Sequence, residues 1–454
     1  MRIARRAEPA GLPAPRRAKT GPDVSCVPPG RPCGSCGGNP TIGTGGRAIK
    51  FALLKCALLR HGDSRVGRSI RVAIVGAGLG GLAAACALRK HGIDATIYER
   101  APELGEVGAG IQLGPNAVKV LRALGVEREL MATACEPRNF VSLAWDDGRL
   151  RFREPMQGPL ARRFGAPYVM AHRADLHRML RALLPDSAIR LNARCISVAP
   201  RGIGATARFA DGTEIEADAI VGADGINSAV RECLFGVQPV RFTQQMAWRC
   251  IVPIECVPTR VGPRGEFEVG RDEYVGWIGP DGHVICYPIR GGAFYNIFAG
   301  HVSDEWVDES WAVPSSVDEL LAGYRGWNPA LLDMLGNVVE CYKWGIRDRD
   351  PLPRWTEGAI TLLGDAAHPM MPTLAQGAAI AIEDGYALAR HLARGGDART
   401  ALAAYEAERR PRASRVVLQA REQFQNNRKN PAPPPLSRDW IFEHDATAEP
   451  AGVV

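Results

Sequence analysis

Four glycines crowd into the start of VAIVGAGLGGLAAACALRKHGIDATIYER, and Gly76, Gly78 and Gly81 among them have the G-x-G-x-x-G spacing. At that spacing the first glycine permits a tight turn, the second lets backbone approach a pyrophosphate, and the third lets a helix pack on a strand. Gly80 belongs to the same cluster. Glu99 follows 23 residues after Gly76, placed to accept from adenosine ribose hydroxyls, and Arg100 beside it is grouped with the same site. The spacing suits FAD and NAD alike. Further on, Asp224 and Gly225 lie in AIVGADGINSAVR, with Ser228 and Arg231 at fixed offsets. This Asp-Gly pair reads either as a passage for a phosphate-bearing chain or as an ordinary turn and helix cap. A third group, Asp365 with Gln376, Gly377 and Ala378, lies in ITLLGDAAHPMMPTLAQGAAIAIEDGYALARHLA. His283 and Tyr287 form a separate H-x-x-x-Y pair in an apolar stretch. An imidazole there could take a phenolic proton at neutral pH, and a phenolate is the more electron-rich ring. The other reading of the pair is a core histidine and a packing tyrosine.

Elements must hold these groups in place. From Ile70 the text runs as apolar strand, glycine cluster, Ala/Leu helix and second apolar strand ending in acid, a βαβ unit in which the helix N-terminus receives the diphosphate. A strand from Ala219 leads into Asp224-Gly225. Another ends at Gly364 and Asp365, Pro369 and Pro372 stiffen a turn, and a long helix begins near Gln376 and Gly377. That helix N-terminus would favour negative charge on a group bound there. Between about Phe242 and Trp344 the pattern is strand-like, with turns at Asp281-Gly282 and Gly291-Gly292. In such a strand His283, Ile285 and Tyr287 share one face, and Val284, Cys286 and Pro288 the other. The nucleotide-binding motifs lie far apart, so their domain is assembled from discontinuous pieces around an inserted unit.

The 454 residues are 46% hydrophobic and carry a net charge of +7. Residues 1–69 hold 13 Lys/Arg against 3 Asp/Glu, which leaves the remaining 385 at a net −3. A near-neutral body offers no basic face for nucleic acid. The first 68 residues are Arg-, Pro-, Gly- and Cys-rich without periodicity and are expected to be disordered. Within them Arg47–Arg60 could form a short basic amphipathic helix with a targeting role, and translation could instead begin near Val66. Of 12 cysteines only Cys26, Cys33 and Cys36 cluster, which is weak evidence for zinc, so no metal is expected. The others read as buried free thiols in a reducing cytoplasm. No run of 18 apolar residues exists, so no stable membrane association is expected.

On these motifs the stretch from about Ile70 to Arg415 resembles the FAD-dependent aromatic hydroxylases, of the salicylate, 3-hydroxybenzoate and 6-hydroxynicotinate types. GAGIQLGPNAVKVL and HRADLHRML (His172–Leu180) resemble further family segments, in which Arg173 matches an arginine that contacts FAD. Both could instead be helix starts, with Asn116 as a cap and Arg173 and His177 solvated. The resemblance implies an α/β fold: a Rossmann-like FAD-binding domain of the p-hydroxybenzoate hydroxylase type with an inserted antiparallel-sheet substrate domain and C-terminal helices. Expected boundaries are 69–241 and 351–427 for the FAD-binding domain, 242–350 for the substrate domain, and 428–454 for a Pro-rich tail. It further implies that Asp365 holds the FAD ribityl chain, that Asp224 and Gly225 lie near the pyrophosphate, and that His283 and Tyr287 meet the substrate phenol. The implied activity is hydroxylation of a small phenolic or N-heteroaromatic acid by O2 through a flavin C4a-hydroperoxide. NADH or NADPH would visit transiently, in a cytoplasmic monomer or homodimer. Gln112 stands where 6-hydroxynicotinate-type relatives carry histidine, and Pro372 where one hydroxybenzoate type carries glutamine, which leaves the substrate open. His368, near Asp365, could be a base, but its place in the turn favours a structural role. A flavin dehydrogenase or oxidase on the same fold, and a non-enzymatic flavin-binding redox sensor, are the competing readings.

Overall fold

The structure, a computed structural model, describes residues 70–105, 109–304, 313–429 and 433–449. The N-terminal extension, with its cysteine cluster and Arg47–Arg60, lies outside the described residues. A five-stranded parallel sheet is ordered Ile360–Leu362, Ala219–Gly222, Val72–Val75, Ala95–Tyr98, Ile189–Arg190. Val72–Val75 and Ala219–Gly222 are buried along their whole lengths, as strands covered on both faces must be, so they read as unbroken apolar runs. The helix Leu79–Lys90 returns from the first strand and packs on the 17-residue helix Gly377–Ala393. The contact is close because both helices are small-sided there: a Cβ at Gly385 would fall 2.6 Å from the Ala84 nitrogen. The FAD-binding half is thus built from segments before and after the insertion, as expected.

An eight-stranded sheet forms the second layer, ordered Val313–Pro314, Glu340–Asp348, Arg241–Pro253, Phe294–Val302, Gly282–Ile289, Tyr274–Ile278, Asn139–Ala144, Leu150–Pro155. Its pairings are antiparallel except that Tyr274–Ile278 runs parallel to Asn139–Ala144. The expected boundary at 242 therefore needs correction. Residues 139–155 belong to this sheet, because Phe140 pairs with Tyr274 and their rings stack at 4.6 Å. The Gly291-Gly292 turn is as read, with both glycines at positive φ. Val284, Cys286 and Ile297 face a second core shared with the helices Val317–Gly323 and Pro329–Gly336. The opposite sheet face looks toward the FAD-binding layer.

The 30-residue helix Ala398–Asn427 lies against Gly377–Ala393 and inserts Arg409 into the core. Arg409 bonds Glu383 at 2.7 Å and Asp384 at 2.8 Å, and all three are fully buried. Burial pushes the Glu383 carboxyl upward, but Arg412 and Arg409 outweigh it and hold the group well below the usual carboxylate range. Removing one partner of such a network costs about 3–5 kcal/mol. The Pro-rich tail also needs correction: residues 433–449 dock on the body. Ile441 and Phe442 are buried, Lys119 Nζ donates to the carbonyls of Phe442, Glu443 and His444, and Arg412 donates to that of Ile441. Among the described residues no helix is long and apolar enough to cross a membrane, and no group of three metal-ligating side chains could hold an ion.

Candidate active site

A cleft of about 890 Å³ lies between the two layers. Its cofactor end is shaped by the glycine turn. Gly76 has φ +108°, and a Cβ on it would fall 2.4 Å from the Ala223 carbonyl oxygen. A Cβ on Gly81 would fall 2.1 Å from the Gly76 carbonyl oxygen, so these two glycines serve the chain's own packing. Gly78 differs: it lines the cleft, and a Cβ there would meet no protein atom within 4 Å. Such an open backbone face at a helix start is what a pyrophosphate requires. Gly80 packs on Leu363 and Ala381 while also reaching the cleft wall. Glu99 accepts from the backbone N–H groups of Ala77 at 2.8 Å and Ala101 at 2.9 Å, bracing the turn; each oxygen keeps a second lone pair. Arg100 is exposed beyond it.

Asp224 follows the cap reading in its side chain. It accepts from Ser228 Oγ at 2.5 Å and from the Val230 N–H, and burial pushes its carboxyl upward. Gly225, at φ +82°, lines the cleft in its place. Arg173, Asp365, Gln376, Gly377 and Ala378 line the cleft as well. Burial raises the Asp365 carboxyl, opposed by the positive fields of His368, Arg173 and Arg249. Gln376 caps the helix Gly377–Ala393 and is fully buried. Its Oε1 accepts from Asn116 at 3.0 Å, while its Nε2 has no partner among the described residues. An orphaned donor on the cleft wall beside a helix N-terminus fits the polar edge of a flavin. Asn116 is therefore not a helix cap: Gly114 occupies that position, and Asn116 bonds Gln376 and Glu383. His177 is buried rather than solvated, 2.8 Å from the Ala77 carbonyl. His368 lies behind the wall, its Nε2 2.6 Å from Asp384 Oδ2 and its ring against Trp355 at 5.2 Å, which is a structural role.

At the other end of the cleft, His283, Ile285 and Tyr287 line the wall from one strand face, as their spacing predicts. His283 stacks on Phe298 at 5.6 Å, and among the described residues its imidazole has no hydrogen-bond partner. Burial lowers its pKa to about 4, so the ring is neutral at pH 7 and ready to accept. Burial raises the Tyr287 hydroxyl, which stays a donor and lies near the Gln112 amide. Tyr168 donates to the Gln112 Oε1 at 2.7 Å, and the Tyr274 hydroxyl lies near the same amide. The strand Gly110–Leu113 that carries it is fastened to the sheet by the Gly110 N–H donating to Asn296 Oδ1 at 2.6 Å.

Sequence reasoning missed Arg249, which lines the cleft with its guanidinium 3.9 Å from the Trp344 ring centroid. The signal was present. In MAWRCIVP, Trp248, Cys250 and Val252 face the second core, so parity turns Arg249 with Ala247 and Ile251 toward the cofactor layer. Arg438, from the docked C-terminal segment, was missed too, and no local pattern points to it.

Residues 69–420 match the family described as FAD binding domain. The chain is 40% identical over 353 residues to 3-amino-4-hydroxybenzoate 2-monooxygenase PtmB3 of Streptomyces platensis, covering 78% of this chain and 87% of the relative. It is 36% identical over 386 residues to 6-hydroxynicotinate 3-monooxygenase of Bordetella bronchiseptica, covering 84% and 96%. Among solved structures, Klebsiella pneumoniae HpxO complexed with FAD and uric acid is similar at a TM-score of 0.71 and 26% identity, covering 79% of this chain and 89% of that one.

Proposed function

The chain belongs to the FAD-binding-domain family and is an FAD-dependent aromatic monooxygenase, and from that premise we propose that its substrate is a small phenolic or hydroxylated N-heteroaromatic acid. The balanced reaction consumes O2, NADH or NADPH, and a proton. One oxygen atom enters the ring and the other leaves as water. The observation that carries the proposal is a neutral, unpartnered His283 in the same cleft as Gly78, Asp365 and Gly377. The named substrates of the similar monooxygenases, an aminohydroxybenzoate and a hydroxynicotinate, are of this chemical class.

Bound FAD supplies the redox and oxygen chemistry that no side chain here provides. We assign its holding to Gly78, Gly80, Glu99 and Arg173, on a turn that Gly76 and Gly81 shape by their packing, with Arg100 exposed beyond it. Gly225, held by the Asp224 cap, with Asp365, Gln376, Gly377 and Ala378 complete the set toward the flavin. The free N–H groups of Gly377 and Ala378 would favour negative charge on the flavin pyrimidine. His283 Nδ1 or Nε2 takes the substrate's hydroxyl proton. In the resting site a pKa of about 4 makes it a weak base against a phenol near 10. Hydroxyl transfer withdraws electrons from the ring and acidifies that proton, so transfer becomes favourable as the new C–O bond forms. Tyr287 donates to the substrate's polar edge, and the stacked aromatic wall keeps water out. A cytoplasmic location and a monomeric or homodimeric state belong to the same proposal, and buried free thiols at Cys86, Cys195, Cys250 and Cys286 support the former.

The test is NAD(P)H oxidation by the yellow holoprotein across hydroxybenzoates and hydroxynicotinates. At least one acid should stimulate it and be recovered hydroxylated, one product per NAD(P)H. An FAD-loaded protein stimulated by none of them would overturn the proposal.

A further inference from the structure

We propose that Arg438, carried by the docked C-terminal segment, is the cation that receives the substrate's carboxylate, making residues 433–449 a specificity element of the substrate chamber. This rests on the substrate class just proposed. Arg438 lines the cleft, and no carboxylate pairs with it among the described residues. Its guanidinium lies over the rings of Tyr168, at 5.9 Å, and Phe442, at 5.4 Å. Its charge also reaches the Tyr168 and Tyr274 hydroxyls, the first of which donates to Gln112. Gln112 thus joins the two ends of the chamber. Its amide lies beside the Tyr287 hydroxyl, on the strand face of His283, and accepts from Tyr168 beneath Arg438.

The other cleft arginines are differently engaged. Arg173 and Arg249 both act on Asp365, and Arg249 also covers Trp344. Arg151 is exposed. An aromatic acid entering the cleft gives up water around its carboxylate, and the planar fork of a guanidinium replaces that water with two parallel N–H donors. The segment that presents the fork is fixed. Leu436 N–H donates to Gln423 at 2.7 Å, Gln419 donates to the Ser437 carbonyl at 2.8 Å, Trp440 Nε1 donates to Gln419 at 2.8 Å, and Lys119 caps the short helix behind it. Arg438 is therefore pre-positioned, and acids fit where neutral phenols lose a partner.

The assignment is tested on the FAD-loaded full chain by flavin-absorbance titration with 6-hydroxynicotinate and with its carboxamide. Arg438→Ala should weaken 6-hydroxynicotinate binding roughly 10- to 100-fold, the value of a charge-assisted hydrogen-bonded pair, and leave carboxamide binding unchanged. Arg438→Gln, which keeps the stem over Tyr168 and Phe442, should lose as much; Arg438→Lys should fall between. In turnover the loss should appear in KM with kcat retained. Equal affinity of wild type and variants for the acid, or an equal loss for acid and carboxamide, overturns the Arg438 assignment alone. The same titration run over the hydroxybenzoates separates the two claims: a wild-type holoprotein that binds none of the aromatic acids overturns the substrate class and this inference with it.

Discussion

His283 shows how far parity along a strand can be trusted and where it stops. Its sharing of a face with Tyr287 was legible because side chains alternate along any strand. Its acidity was not, since the lowered pKa comes from Phe298 and neighbouring strands that the chain delivers from elsewhere. A general base contributes about 10² to 10⁴ in rate. His283→Ala should therefore lower turnover per bound FAD by a factor in that range at neutral pH, with FAD content unchanged. The defect should shrink above about pH 9, where solvent ionises the phenol unaided. With a pKa of about 4, His283 should leave no inflection near 6.5 in the wild-type kcat/KM profile. An Ala variant with normal turnover per FAD would remove His283 from the chemistry.

At the scale of elements, the βαβ unit and the long helix Gly377–Ala393 were read correctly because local signals, glycine spacing and apolar runs, suffice for them. The recruitment of residues 139–155 into the second sheet was not legible, since a parallel pairing with Tyr274–Ile278 carries no local mark. The docked segment 433–449 was hidden for a similar reason: its proline run reads as linker, while its anchors are single side chains such as Lys119 and Arg412 on distant helices. The glycine turn separates packing from cofactor binding. Gly78→Ala places a methyl where no protein atom lies within 4 Å, so apoprotein stability should be kept while FAD affinity falls. Gly76→Ala and Gly81→Ala each force a methyl onto a backbone carbonyl oxygen, so both should lower the apoprotein's melting temperature as well. Melting curves with and without FAD distinguish the two patterns, and a destabilised Gly78→Ala apoprotein would contradict this division.

For the whole molecule, two histidines set an acid limit. Burial brings both His283 and His444 down to about 4, below the ordinary 6.5. Between those values the unfolded chain binds more protons than the folded one, so stability rises with pH there. Their contribution is complete above about pH 6.5 and lost as pH falls toward 4. His444 sits against Arg409 at 3.1 Å, so its protonation adds a positive charge where the C-terminal segment docks. Urea midpoints should fall from pH 7 to pH 5, and His444→Gln should flatten that slope; an unchanged midpoint would contradict the burial of these rings as titrating groups. The cleft between the two layers joins the flavin-binding row to the aromatic chamber, and ring hydroxylation is the reaction proposed for that junction. Turnover under isotopically heavy O2 with NAD(P)H and a stimulating aromatic acid tests it most directly. One heavy oxygen atom in the ring hydroxyl of the product is the predicted result. A product without the label, with O2 appearing only as hydrogen peroxide, would contradict it.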